Sequence, residues 1–211
     1  MIRILIADDH TLVRQGLRRL LEEEKDFRVV AEAGDGAEVM RLVGEQPVDV
    51  VLMDIAMPGM DGFEATKRLT KKKGGPRVLV LTMYADEHYA ARLLRIGAMG
   101  YVVKDAAATE LVEAVRTVHE GRRFVSASIR EHLALRYIDG LGDDAVESLT
   151  NREFQVLRYL AAGSTNREIA KQLGLSVKTV DAHRLNILAK LGLRNNSELT
   201  KFALRHHLIT D

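Results

Sequence analysis

From Ile2 to Glu120 the sequence alternates short β-branched runs with amphipathic helical stretches, and this constrains the fold more than any other feature. The pattern predicts strands at Ile2–Ala7, Arg28–Ala33, Val48–Met53, Arg77–Leu81 and Met99–Val103, each followed by a helix. Leu12, Leu17, Leu20 and Leu21 recur at helical spacing in the first such stretch, and Leu111, Val112, Val115 and Val118 in the last. Asp35 with Glu38 three residues later has the form of a capping box. The strand runs are apolar throughout rather than alternating, as expected when helices cover both faces of a parallel sheet. The expected architecture over residues 1–120 is therefore α/β, a doubly wound five-stranded parallel sheet.

The pattern changes after residue 120. Residues 121–147 begin with Gly and charge, carry one helical stripe through Ile129, Leu133 and Ile138, and end in Gly140-Leu141-Gly142-Asp143-Asp144. They are read as a linker with one helix. From Ser148 to the end no strand pattern survives. Thr150 with Glu153, Thr165 with Glu168 and Asn195 with Glu198 are spaced as helix starts, and Ser176 opens another helix. Residues 148–211 should form a small all-α unit of four helices.

Composition narrows the chemistry. No apolar run approaches the roughly 20 residues needed to span a bilayer, and Ile2–Ala7 is too short for a secretory leader. A soluble, cytoplasmic protein with no membrane partner is the expectation. The absence of cysteine excludes disulfides, thiol catalysis and thiolate metal sites, leaving oxygen and imidazole donors. The net charge of +1 is unevenly spread: residues 1–120 hold 17 Lys and Arg against 20 Asp and Glu, residues 148–211 hold 10 against 5. A basic C-terminal segment on a neutral-to-acidic body fits either a nucleic-acid-binding appendage or a solvated basic face.

In a doubly wound sheet, ligands collect at the carboxyl ends of the strands. Asp8 and Asp9 follow the first strand, Asp54 the third, Thr82 the fourth and Lys104 the fifth. Carboxylates gathered at one edge repel unless positive charge lies between them, and Mg²⁺ with a lysine supplies it best here. A carboxylate in such a place can attack phosphorus, which makes Asp54 the candidate nucleophile. The loop Ile55-Ala56-Met57-Pro58-Gly59-Met60-Asp61-Gly62 carries the Pro and Gly that a sharp strand-to-helix turn needs. Taken singly, each residue has a plainer reading. Asp8 and Asp9 would cap the first helix, Asp61 the third, Thr82 would end a strand, and Lys104 would be a surface charge.

Taken together, Leu5 to His10, Met53 to Gly62, Leu81-Thr82 and Gly97 to Lys104 resemble a response-regulator receiver domain over roughly the first 120 residues. The resemblance implies that Asp54 accepts a phosphoryl group from a sensor histidine kinase. It also implies Mg²⁺ on Asp9, Asp54 and the Ala56 carbonyl, with Asp8 acting through water. Lys104 and Thr82 would engage the phosphoryl group, and Tyr101 stands where the family has its switch aromatic. Tyr101 is otherwise a half-buried strand tyrosine. In many receivers a proline follows the lysine; here Asp105 does, so a cis bond at that point would be of the costly non-proline kind.

In the C-terminal unit, Glu168 to Val180 reads as helix, glycine turn, helix, with Ile169, Leu173, Val177 and Val180 packing the pair and the second helix running to about Leu191. Such a helix lies in the major groove while basic side chains hold phosphates. Leu149 to Leu193 resembles the LuxR-type helix-turn-helix of the NarL/FixJ group of regulators. The resemblance implies backbone contacts from Lys178 and Thr179, base-facing positions at Asp181, Ala182 and Leu185, and phosphate approach by His183 and Arg184. Arg167, Lys171, Lys190 and Arg194 add charge. Asp181 either accepts from a cytosine amino group or is a first-turn residue favoured by the helix dipole. His183 either packs or contacts DNA. The last helix, with Leu199, Phe202, Ala203 and Leu204 on one stripe, either supplies a dimer contact or packs in the core.

The resulting expectation is a non-enzymatic regulator that, once phosphorylated on Asp54, binds double-stranded DNA as a homodimer on two half-sites. A phosphorylation-independent DNA binder is one alternative. A Mg²⁺-dependent phosphohydrolase of the haloacid-dehalogenase type is another, but it would need an acid where the chain has Ala56.

Overall fold

A computed structural model describes residues 1–83, 87–106, 108–138, 144–206 and 208–209. The chain divides into two compact units, Met1–Ile138 and Asp139–Asp211.

In the first unit, strands β1 (Ile2–Ala7), β2 (Phe27–Ala33), β3 (Val50–Met53), β4 (Arg77–Thr82), β5 (Gly100–Val103) and β6 (Phe124–Val125) form one sheet in the order β2-β1-β3-β4-β5-β6, all pairs parallel. Helices α1 (Thr11–Glu22), α2 (Gly36–Glu45), α3 (Gly62–Thr70), α4 (Glu87–Arg95), α5 (Ala108–His119) and α6 (Ala127–Ile138) complete it. Ile2, Ile4, Ile6, Leu52, Leu79 and Val102 point to one face and join Leu21 of α1 with Leu111, Val115 and Val118 of α5 in a single core. The alternate residues Leu5, Val51, Val78 and Tyr101 are equally buried, which is why these strands carry no polar alternation.

The expected five strands are corrected to six. Phe124 N donates to Met99 O at 3.0 Å and Ser126 N to Tyr101 O at 3.0 Å, so two residues of the presumed linker cover the outer edge of β5. An edge strand leaves a row of backbone groups unpaired, and even this short addition satisfies part of it. Two residues after Gly121-Arg122-Arg123 offer no period to read. The rest of that segment forms α6 and the short helix α7 (Asp144–Glu147), while residues 139–143, including most of the expected Gly140 to Asp144 run, lie outside the described residues.

Local signals set the helix starts. Asp35 caps α2 by accepting from Glu38 N at 2.8 Å, whereas the Glu38 carboxylate reaches back to Gly34 N at 2.9 Å. In the second unit α8 (Asn151–Ala161) and α9 (Asn166–Leu173) begin with complete capping boxes, at Thr150/Glu153 and Thr165/Glu168. α10 (Val177–Leu191) is capped by Ser176 and α11 (Asn196–Arg205) by Asn195. Gly174 and Gly192 end α9 and α10 with φ of +62° and +65°, the left-handed region that glycine enters without strain. Phe154, Leu157, Ile169, Val180, Ile187, Leu199 and Ala203 are fully buried in this unit. Val177, expected to pack α9 against α10, is instead 45% exposed, because Ser176 starts α10 so that its first residue faces outward.

Candidate functional site

Four strand ends converge in the first unit. Asp8 follows β1, Asp54 follows β3, Thr82 closes β4 and Lys104 follows β5. Asp54 N donates to Ala7 O at 2.8 Å and Lys104 N to Thr82 O at 2.8 Å, so the sheet ladder extends into the site and fixes both side chains. The Lys104 ammonium lies 2.6 Å from Asp8 Oδ2 and 3.1 Å from Asp54 Oδ2. Asp8, Asp54 and Thr82 are buried, and the lysine is nearly so. The loop above Asp54 closes tightly: a Cβ on Gly62 would stand 1.8 Å from Asp54 O, so glycine there lets α3 start against the end of β3.

Lys104 is no surface charge. His10, not Asp8 or Asp9, is the N-cap of α1, and it makes no side-chain capping bond. Asp8 Oδ1 instead accepts from His10 N at 2.8 Å. Asp61 does cap α3, accepting from Glu64 N at 2.9 Å. Tyr101 is fully buried in β5 opposite Val80, rather than half-buried. No cis peptide occurs among the described residues, so the Lys104–Asp105 bond is trans.

Burial pushes the Asp54 carboxyl above its ordinary range, repulsion from Asp8 adds to the rise, and the Lys104 ammonium and the hydrogen bond from Ile55 N oppose it. Two buried carboxylates share one ammonium, leaving the cluster short of positive charge. Such all-oxygen carboxylate donors suit a hard divalent cation. Atoms of Asp8, Asp9 and His10 also lie within 4.8 Å of one another, and His10 Nδ1 sits 2.8 Å from Asp9 Oδ1. In the sequence His10 carries no signal as a donor and reads only as the residue after an acidic pair.

The second unit presents α10. Lys178, Thr179, Ala182 and Leu185 are exposed on it, as are Arg167 and Lys171 on α9. Asp181 is the fifth residue of α10 and so not in its first turn. That corrects the dipole reading: its carboxylate is held by Arg184 Nε at 3.0 Å and Asn166 Nδ2 at 3.4 Å. Lys190 donates to Glu153 Oε2 at 2.6 Å and to Ser148 O at 3.2 Å. Burial alone would push Glu153 up, but Lys190 and the Thr150 N–H outweigh it and hold the carboxyl below its usual value. His183 Nδ1 is buried without a hydrogen-bond partner, and burial, helped by Arg152, lowers its pKa against the pull of Glu153. Arg194 pairs with Glu198 at 2.7 Å. Leu199 and Ala203 of α11 are core residues, whereas Leu204 is partly exposed.

The chain matches the response regulator receiver domain over residues 4–116 and the luxR family of bacterial regulatory proteins over residues 147–203. Response regulator UvrY of Escherichia coli (strain K12) is 38% identical over 209 residues, 99% of this chain and 96% of UvrY. Among solved structures, RcsB from Salmonella enterica serovar Typhimurium, bound to promoter P1flhDC with the phosphomimetic BeF3−, superposes with a TM-score of 0.61 at 29% identity, covering 95% of this chain and 97% of that one. A structure of two RcsB dimers bound to two parallel DNAs gives 0.61 at 28% identity, covering 95% and 96%.

Proposed function

Because the chain belongs to the response-regulator family, joining a receiver domain to a luxR-family DNA-binding domain, we propose that phosphorylation of Asp54 by a sensor histidine kinase controls transcription through DNA binding by α10. The observation that carries this reading is the shared ammonium of Lys104 between two buried carboxylates at adjoining strand ends. In the transfer an Asp54 oxygen bonds to phosphorus as the phosphorus–nitrogen bond of a phosphohistidine breaks, the leaving histidine keeping the electron pair. Asp54 is held for this by the Ile55 N–H, and burial excludes water from it. Lys104 then turns its charge from Asp8 to the new oxygens, and the Thr82 hydroxyl and Tyr101 respond to them. Asp9, Asp54 and the Ala56 carbonyl would hold Mg²⁺, with Asp8 behind them, and a cation there supplies charge compensation for the transferred oxygens.

The phosphorylated receiver biases a two-state equilibrium toward a homodimer on two half-sites, a reading supported by the RcsB dimers on DNA. Ala182 and Leu185 face the bases in the groove, and Lys178, Thr179, Arg167 and Lys171 approach the phosphate backbone. Lys190 and Arg184 serve chiefly to hold Glu153 and Asp181. No described helix is long and apolar enough to cross a membrane, and DNA as the target puts the protein in the cytoplasm. It acts by binding, not by catalytic turnover.

The test is DNA binding by wild type and Asp54→Asn, each with and without a small phosphodonor and Mg²⁺, against a pool of genomic fragments. Wild type gains affinity for a discrete set and Asp54→Asn does not respond. Equal binding by both under all conditions removes Asp54 from control, and failure of either to select a fragment removes the reader.

A further inference from the structure

Helix α10 buries Val180, Ile187 and Leu188 and turns the opposite face outward. Lys178, Ala182, Leu185 and Ala189 fall on that face at helical spacing, and all four are exposed. Leu185 is 54% exposed. A single exposed leucine is ordinary. Here it is flanked by two alanines one turn away on either side, in a helix whose unit is otherwise rich in positive charge. The neighbouring carboxylate, Asp181, is tied to Arg184 and Asn166 and so offers the stripe little free charge. Along this stripe, past Lys178, the exposed surface is methyl and methylene, and the exposed Asn186 amide and Thr179 hydroxyl lie beside it.

In the major groove the apolar mark on a base edge is the 5-methyl of thymine, while guanine, adenine and cytosine are read there by hydrogen bonds. We infer that α10 reads thymine by its 5-methyl group, with Leu185 as the contacting side chain and Ala182 and Ala189 small enough to let the helix backbone approach the base edges. This rests on the DNA-binding reading above. A protein partner would also cover an apolar stripe. The net charge of +5 over residues 148–211 and the exposed Lys178, Arg167 and Lys171 favour the polyanion.

The experiment uses the full chain, with phosphodonor and Mg²⁺, and sites selected from a random duplex pool. Each thymine of a selected site is replaced in turn by deoxyuridine, which deletes one methyl and leaves every hydrogen-bonding group in place. At one thymine per half-site the replacement should weaken wild type about fourfold, the equivalent of exposing one buried methylene. Leu185→Ala should bind the two duplexes alike, and Leu185→Met should recover the difference. If wild type selects a site but binds every deoxyuridine duplex as tightly as the parent, or if Leu185→Ala keeps the full methyl sensitivity, the inference is overturned and the DNA reading stands. If no site is selected, both fall together. If Leu185→Ala leaves DNA affinity unchanged and dissolves a self-associated form, the stripe is a protein contact and the inference is wrong.

Discussion

Replacing Lys190 with methionine keeps most of the aliphatic stem and removes the ammonium that Glu153 relies on. Glu153 is 3% exposed and would retain only the Thr150 N–H at 2.8 Å as a strong partner. Breaking a fully buried ion pair costs about 3–5 kcal/mol. The lysine side chain here is 37% exposed, so water shares part of its charge and the cost should be nearer ~2 kcal/mol. For a unit of this size that is a fall in melting temperature of about 8–16 °C. The pH dependence separates charge from packing. Because the folded-state pKa of Glu153 lies below its ordinary 4.5, the stabilisation from the pair is complete above that value and is lost as pH falls through the folded-state pKa. Calorimetry of the full chain should therefore show a large difference between wild type and Lys190→Met at neutral pH that shrinks in acid. At temperatures below the transition, the salt dependence of DNA binding should be unchanged. An unaltered melting temperature or a difference independent of pH would refute the pairing with Glu153, and a salt slope lowered by about one would show that Lys190 contacts phosphate.

Three further outcomes follow from the receiver. Gly62→Ala places a methyl against the Asp54 carbonyl, and should cost at least about 1–3 kcal/mol by displacing the loop, read by thermal unfolding, together with slower phosphorylation by a phosphodonor. Asp54→Asn should stabilise the first unit at neutral pH: the raised folded-state pKa means stability is lost as pH rises from 3.8 through that value, so the gain should vanish in acid when unfolding is followed against pH. Mg²⁺ at a hundredfold excess over its dissociation constant should stabilise wild type by about 2.7 kcal/mol and leave Asp9→Ala unmoved in the same melting assay.

Legibility in the sequence followed the range of the interaction. The sheet and its helices announce themselves through local periodicity, and the caps at Thr150, Thr165, Ser176 and Asn195 through spacings of three residues. The convergence of Asp8, Asp54, Thr82 and Lys104 is long-range, yet it was readable because a parallel sheet brings all its carboxyl ends to one edge. Pairings that no topological rule supplies were not readable. Glu153 shows its capping spacing in the sequence but not its bond to Lys190, 37 positions away. Asp181 likewise gives no sign of Asn166, and the outward turn of Val177 depends on the residue at which α10 begins. Strand β6 is illegible for another reason: two residues carry no period, and their pairing is dictated by the open edge of β5.

Glu153 and Asp54 show opposite uses of a buried acid. Glu153 has its own ammonium and a backbone N–H, so its charge is met and its pKa falls, the signature of a group that fastens helices. Asp54 has less than a whole partner, since the one ammonium nearby lies closer to Asp8, and its pKa rises. Leaving a buried carboxylate under-compensated destabilises the fold at neutral pH, and nothing in packing requires it at the end of β3. The arrangement makes physical sense if the missing charge is to come from outside. A cation lowers the energy of this site by more than it would lower that of a satisfied ion pair. Under the proposed transfer the same argument favours a shared lysine over a dedicated one: an ammonium locked to Asp54 alone would hold the ionised carboxylate too well to leave it nucleophilic.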